Sequence, residues 1–248
     1  MIHIRSADEI ALLRESGRLV GQAHQLVREK VKPGARGEDI DREIETFIRD
    51  NGARPAFKGH QGFPASICFS VNHQVVHGFP TRDPLKEGDV VSVDIGVEKD
   101  GYFGDSAWTY ICGEDLQDAS ELLRVTEESL FKGIAKAVEG NHLFDVSHAV
   151  QNHVEGNGYS VVREMVGHGI GIQMHEEPQI PNYGPPGKGP LIKAGMVFAI
   201  EPMVNQGSHE IVILRDGWTA VTRDGSLSAH FEHCIVVTNG EPVLLTVP

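Results

Sequence analysis

Basic residues are in short supply: 22 Lys and Arg stand against 35 Asp and Glu in 248 residues, a formal net charge of -13. Such a balance argues against nonspecific phosphate binding and leaves carboxylates to spare for cations. Cysteine is scarce as well. Cys68, Cys112 and Cys234 are odd in number, far apart and without a CxxC pair, which excludes a disulfide framework and a zinc knuckle and suits a reducing compartment. They read as small buried apolar residues. No run approaches the ~18 apolar residues of a membrane span, and MIHIRSADEI lacks the apolar stretch of a signal peptide, so a cytoplasmic location is expected. Several reaction signatures are missing too. GxSxG is absent, GPPGKG at 184–189 lacks the phosphate-loop spacing, His175-Glu176-Glu177-Pro178 lacks the second His of HExxH, and His230-x-Glu232 lacks a downstream PCxxC.

What is present is an ordinary globular composition, 40% hydrophobic and 23% charged, laid out in a pattern that recurs. Ser6 and Glu9 form a capping box for a helix carrying Ile10, Leu13, Val20, Ala23 and Val27, which stops before Lys32-Pro33-Gly34. A second helix bears Ile40, Ile44, Phe47 and Ile48 and ends at Asn51-Gly52. After a central helix from about Asp118 to Ala137, a short one with Val146, Val150 and Val154 ends at Asn157-Gly158, an offset of 106 from the second. LKEGDVVSVD at 85–94 then matches IKAGMVFAIE at 192–201, an offset of 107 that aligns Asp94 with Glu201. The expectation is one α/β (α+β) domain spanning 1–248, built as an internal pseudo-repeat of about 1–112 and 113–248. Each half would be helix, helix, then strands.

The acids fall where a strand wants a packed face. Val90–Val97 and Tyr102–Tyr110 alternate like strands and are joined through Asp100-Gly101, a hairpin signal. A loop of Asp100 and Gly101 sets Asp94 opposite Ala107 and diagonal to Asp105; a loop shifted to Lys99-Asp100 sets the two acids face to face. Either register aims both carboxylates one way, within about 8 Å by Cα, where only a shared proton or a cation relieves the repulsion. His168 lies in the glycine-rich GHGIG that follows a strand-like stretch, Tyr159–Val166. Glu201 ends the second strand copy before Pro202, and Glu232 sits in a strand running from Ser228 to Thr238. Taken singly, each has a bland alternative, a solvated acid or a turn histidine. As a set, four carboxylates and one imidazole balance two divalent cations, and the chemistry expected is a metal-bridging water acidic enough to act as hydroxide near neutral pH.

The order Asp94, Asp105, His168, Glu201, Glu232, with Ser-Val-Asn-His at 70–73, His77-Gly78, GHGIG, HEEP and FEH, resembles the methionine aminopeptidases over essentially the whole chain. The resemblance implies the pita-bread fold, two related halves with antiparallel sheet curved around the site and helices outside. It implies that Asp94 and Asp105 chelate, that Asp105 and Glu232 bridge two metals, and that His168 and Glu201 complete one of them, Glu201 also moving the proton of the attacking water. His77 and His175 match the family's two histidines that hydrogen-bond the substrate and stabilise the tetrahedral intermediate. By position, Phe57, His60, Phe63, Cys68, Met174 and Trp218 line the methionine pocket. Three residues depart from the bacterial pattern: His60 replaces a tyrosine, Gln61 a histidine and Met174 a phenylalanine.

The 31-residue step from Glu201 to Glu232 has no room for the helical insertion of the type II enzymes, so the resemblance is to type I in its short bacterial form. It implies initiator-methionine removal ahead of a small second residue, two divalent ions with Mn, Fe or Co favoured over Zn, and nascent chains and the ribosome as partners. No membrane or sequence-specific nucleic acid is expected, and a monomer is. Two other functions stay open at this point: a proline-specific peptidase of the same fold, and a non-catalytic nascent-chain or ribosome-binding module.

Overall fold

A computed structural model describes all 248 residues, Met1–Pro248. The first half runs α1 (Ala7–Lys30), α2 (Gly37–Asp50), β1 (Arg54–Pro55), β2 (Ile67–Val71), β3 (Gln74–Val76), β4 (Val90–Lys99) and β5 (Tyr102–Ile111). The second runs α3 (Ser120–Ile134), α4 (Leu143–Gly156), β6 (Ser160–Val161), β7 (Gly167–Gly169), β8 (Glu176–Ile180), β9 (Val197–Ile200), β10 (Met203–Asn205), β11 (Ile211–Ile213), β12 (Ala220–Thr222), β13 (Ser228–His230), β14 (His233–Val236) and β15 (Val243–Leu244). Every strand pairing is antiparallel. No helix is long and apolar enough to cross a membrane.

Local chemistry explains the helix ends. The Ser6 side chain accepts from the amide of Glu9, and the Glu9 carboxylate accepts from the amide of Ser6, closing the capping box of α1. α2 and α4 each stop at an Asn followed by a left-handed glycine, Gly52 (φ +68°) and Gly158 (φ +82°). α3 begins later than the periodicity predicts, at Ser120. The Asp115 carboxylate takes the amides of Ala119 and Ser120 at 2.8 Å, and Asp118 is left-handed, so the chain is still turning there.

Helices lie outside and sheet inside, in two packed units. Apolar faces of α1 and α2 (Leu19, Val20, Ala23, Val27, Ile40, Ile44, Ile48) meet Val91, Val93, Ile95 and Val97 of β4. In the second half Leu122, Leu130, Val146 and Val150 meet Phe198, Ile200 and Ile235. Each fully buried Leu, Ile, Val or Phe among these stabilises by roughly 1.5–3 kcal/mol. Details also recur between the halves. The isolated bridge Arg36↔Pro84 is matched by His142↔Leu191, and the bond from Gly34 N to Leu85 O (2.8 Å) by that from Gly140 N to Ile192 O (3.1 Å).

The hairpin settles the open register. β4 and β5 pair over ten consecutive positions from Val90↔Ile111 to Lys99↔Tyr102, with Asp94 opposite Ala107 and Asp105 opposite Gly96. Asp100 (φ +52°) and Gly101 (φ +83°) are both left-handed, as a type I′ turn demands, and the face-to-face alternative does not occur.

Three strand expectations need correction. Tyr159–Val166 is not a strand; only Ser160–Val161 pairs, and His168 itself is in strand β7 rather than in a loop. Glycine is what admits it: a Cβ on Gly167 would lie 2.5 Å from Ala199 O. Ser228–Thr238 is not one strand either. β13 pairs with β10 and β14 with β9, and the chain steps between the two sheets at Phe231-Glu232. Facing this step is Pro202, which accepts from the Phe231 amide at 3.3 Å but has no amide to return the bond and continue a ladder; the Glu232 amide donates to Ala107 O at 2.8 Å.

Candidate metal centre

Five elements deliver the candidate ligands to one place. The hairpin brings Asp94 and Asp105, β7 brings His168, the residue after β9 is Glu201, and the step between β13 and β14 is Glu232. All five line a cavity of about 190 Å³, together with Phe57, His60, Gln61, Phe63, Cys68, His77, His175 and Trp218. Ligand atoms of Asp105, His168 and Glu232 lie within 4.8 Å of one another. His168 Nε2 stands 3.4 Å from Glu201 Oε1 and 4.0 Å from Asp105 Oδ2.

The protonation states follow from partners. His168 Nδ1 is 2.9 Å from Gly169 O, and a carbonyl only accepts, so the ring proton is on Nδ1 and the Nε2 lone pair faces the acids. Burial holds His168 down to about 3, so it is neutral. A lone pair aimed at carboxylate oxygens is repulsive unless a proton or a cation lies between them. Burial also pushes Asp94 up to about 6 and Glu201 up to about 8. Asp105 and Glu232 are pushed well above the carboxylate range, first by burial and then by the neighbouring acids. Asp94 Oδ1, Asp105 Oδ1 and Glu232 Oε1 are buried without a hydrogen-bond partner. No Lys or Arg lines the cavity to compensate them. Orphaned oxygens and an imidazole lone pair around one small space fit divalent cations that prefer oxygen and nitrogen donors. Cys68, opposite Asp94 across β2 and β4, is buried with its thiol pushed up; Cys234 donates to Asp105 O at 3.1 Å, and Cys112 is buried.

Above this floor the walls are apolar and aromatic. Phe63 stacks edge-on against Trp218, with centroids 5.1 Å apart, and against Phe57 at 6.4 Å. His77, held at φ +59°, presents its ring to Trp218, and burial keeps it neutral, near 4. His175 stands at the mouth, 4.5 Å from the His168 ring and 5.7 Å from His60, with burial and then His60 lowering its pKa. Met174 departs from expectation. It is 3% exposed and packs behind Phe57, Phe63 and Cys68 rather than lining the cavity, and the chain bends through 171–175 before β8 begins. Gln61, singled out in the sequence only as a departure from the bacterial pattern, lines the cavity. One further neighbour of the site was not foreseen. His230 is 2% exposed with Nε2 3.6 Å from Glu201 Oε2; its parity with Glu232 was the available signal.

Residues 11–239 match the model of metallopeptidase family M24. The chain is 51% identical over 247 residues to the methionine aminopeptidase of Clostridium perfringens, covering 100% of this chain and 99% of the relative. It superposes on the solved methionine aminopeptidase of Thermotoga maritima with a TM-score of 0.98 at 45% identity, each chain covered in full. The prolidase of Pyrococcus furiosus shares the fold at a TM-score of 0.81 and 21% identity, with 65% of its length covered.

Proposed function

The chain belongs to metallopeptidase family M24, and on that premise we propose that the cavity removes the initiator methionine from peptides and nascent chains whose second residue is small. The fold is the pita-bread fold, and the protein is a metal-dependent aminopeptidase of the type I methionine aminopeptidase kind. One observation carries the assignment: unpartnered carboxylate oxygens and the His168 lone pair converge beneath a small apolar-walled cavity. Asp94, Asp105, His168, Glu201 and Glu232 would hold two divalent ions, Mn, Fe or Co and less readily Zn, which suit four carboxylates and one neutral imidazole. When bound, such ions supply Lewis acidity, lowering the pKa of water until it attacks at neutral pH.

The chain's own residues do the rest. Phe57, His60, Phe63, Cys68 and Trp218 hold the thioether side chain, a soft unbranched group against aromatic rings and sulfur, with Met174 backing the wall. His77 and His175 donate to the substrate carbonyl region as charge builds there, contributing a few kcal/mol. Glu201 takes and returns the proton of the attacking water. The recurring bridges and matching helices support an internal pseudo-repeat of about 1–112 and 113–248 within one catalytic domain. We propose a cytoplasmic monomer; the ribosome is a further expected partner.

Hydrolysis of Met-Ala-Ser by metal-free protein, before and after adding Mn, Fe, Co or Zn, tests the reading. Methionine release that requires metal and is lost in Glu201→Gln supports it. Preference for X-Pro substrates would favour the proline-specific reading, and two bound ions without any release would favour a binding module.

A further inference from the structure

His230 has no task in the reaction as described, yet its surroundings are unlike those of a packing residue. It ends β13 and is pinned at its main chain: its amide donates to Thr109 Oγ1 at 2.9 Å, and the Thr109 hydroxyl donates back to its carbonyl at 2.8 Å. The pinned backbone directs a ring that is 2% exposed, with Nε2 buried and without a hydrogen-bond partner, 3.6 Å from Glu201 Oε2. Glu201 is therefore bracketed by two imidazoles of different character. On one side His168, its proton committed to Gly169 O, offers a lone pair to Oε1; on the other His230 faces Oε2. Asn182 Nδ2 holds the Glu201 carbonyl at 2.9 Å, so the main chain is fixed and only the carboxylate plane is left to orient.

We propose that His230 is a positioning residue whose Nε2–H donates to Glu201 Oε2, reserving Oε1 for the cations beside His168. A neutral N–H donor suits the place. It fixes the carboxylate as an outer hydrogen-bond partner does for a metal ligand, without bringing the positive charge with which a lysine or arginine would compete against the cations. The inference rests on the reading of Glu201 as ligand and proton carrier.

The test compares His230→Leu, which fills the space without a donor, with His230→Gln, which restores an amide donor of similar reach. Readouts are Mn(II) affinity of the metal-free protein by calorimetry, kcat and KM for Met-Ala-Ser, and folding by circular dichroism. His230→Leu is expected to lower both Mn(II) affinity and kcat by about 10–100-fold with KM within about twofold, and His230→Gln to recover most of each loss. Should the leucine variant fail to fold, His230→Asn, polar but too short to reach, takes its place with the same expected loss. Equal impairment in the leucine and glutamine variants would reduce the role to packing and overturn the proposal, as would two variants that bind and turn over like the native protein. Native protein that takes up no Mn(II) would sink the reading of Glu201 and this inference together; native uptake and turnover with an unaffected leucine variant sinks the inference alone.

Discussion

The two halves supply the site in opposite ways. In the first, both acids come from one hairpin of ten consecutive pairs, and a two-residue turn sets where Asp94 and Asp105 point. In the second, His168, Glu201 and Glu232 come from three short strands or their ends, β7, β9 and β14, and it is the lateral pairing of these strands in one sheet that brings them together. A ligand pair set by a turn needs little help from its surroundings; a ligand set assembled from strand ends depends on every close contact behind it.

Ligand removal gives the largest effect and tests whether that difference ends at the site itself. Asp105→Asn from the hairpin and Glu232→Gln from the strand step should each lower kcat/KM by about 10³-fold or more, with metal binding lost in calorimetry, since several kcal/mol of transition-state stabilisation go with the cations. Full metal binding and activity in either variant would mean that the halves do not share one centre. Gly167→Ala sharpens the contrast. Its Cβ would meet Ala199 O at 2.5 Å, so about 1–3 kcal/mol of stability and several degrees of Tm should be lost, with metal affinity falling as β7 shifts. In the hairpin, Gly96→Ala should be milder. Its Cβ would press 2.8 Å from Phe57 Cε1, 2.9 Å from Met174 Cε and 3.0 Å from Ala56 Cβ, side-chain atoms rather than backbone. The expected outcome is a KM for methionine peptides raised about tenfold with kcat nearly unchanged.

The smallest effect is on pH. Asp94 and Glu201 keep their protons to about 6 and about 8 in the folded, metal-free protein, above the carboxyl range of an unfolded chain. The folded state then binds more protons than the unfolded one, and stability falls as pH rises through that window. Buried His168, near 3, and His77 and His230, near 4, act in the opposite sense, but only below about 6.5, where an unfolded histidine protonates. Between pH 6.5 and 8 the Tm of metal-free protein should therefore fall, and Mn(II) should remove the fall; a Tm rising over that range would contradict the protonation states drawn here.

Legibility in the sequence followed the same division. Asp-Gly chemistry made the hairpin readable, and capping residues placed three of the four helices closely, because these signals act over a few neighbouring residues. Alternation does not say which of two sheets a strand joins, so the split of Ser228–Thr238 at Glu232 was invisible, as was the strand that carries His168 between two glycines. The five candidate ligands could be picked out by type and order, whereas Met174 behind the wall and His230 beside Glu201 depend on side-chain direction, which only the packed structure fixes.

The seam between the halves also sets a clock. Thr109 to His230, Ser106 to Glu232 and Cys234 to Asp105 are hydrogen bonds across 121, 126 and 129 residues. Contacts closing so long a loop form late, after local hairpins and helices. A chain still emerging from synthesis at residue 228 has the hairpin and its two acids but neither Glu232 nor the seam, so peptidase activity begins only when the molecule is finished.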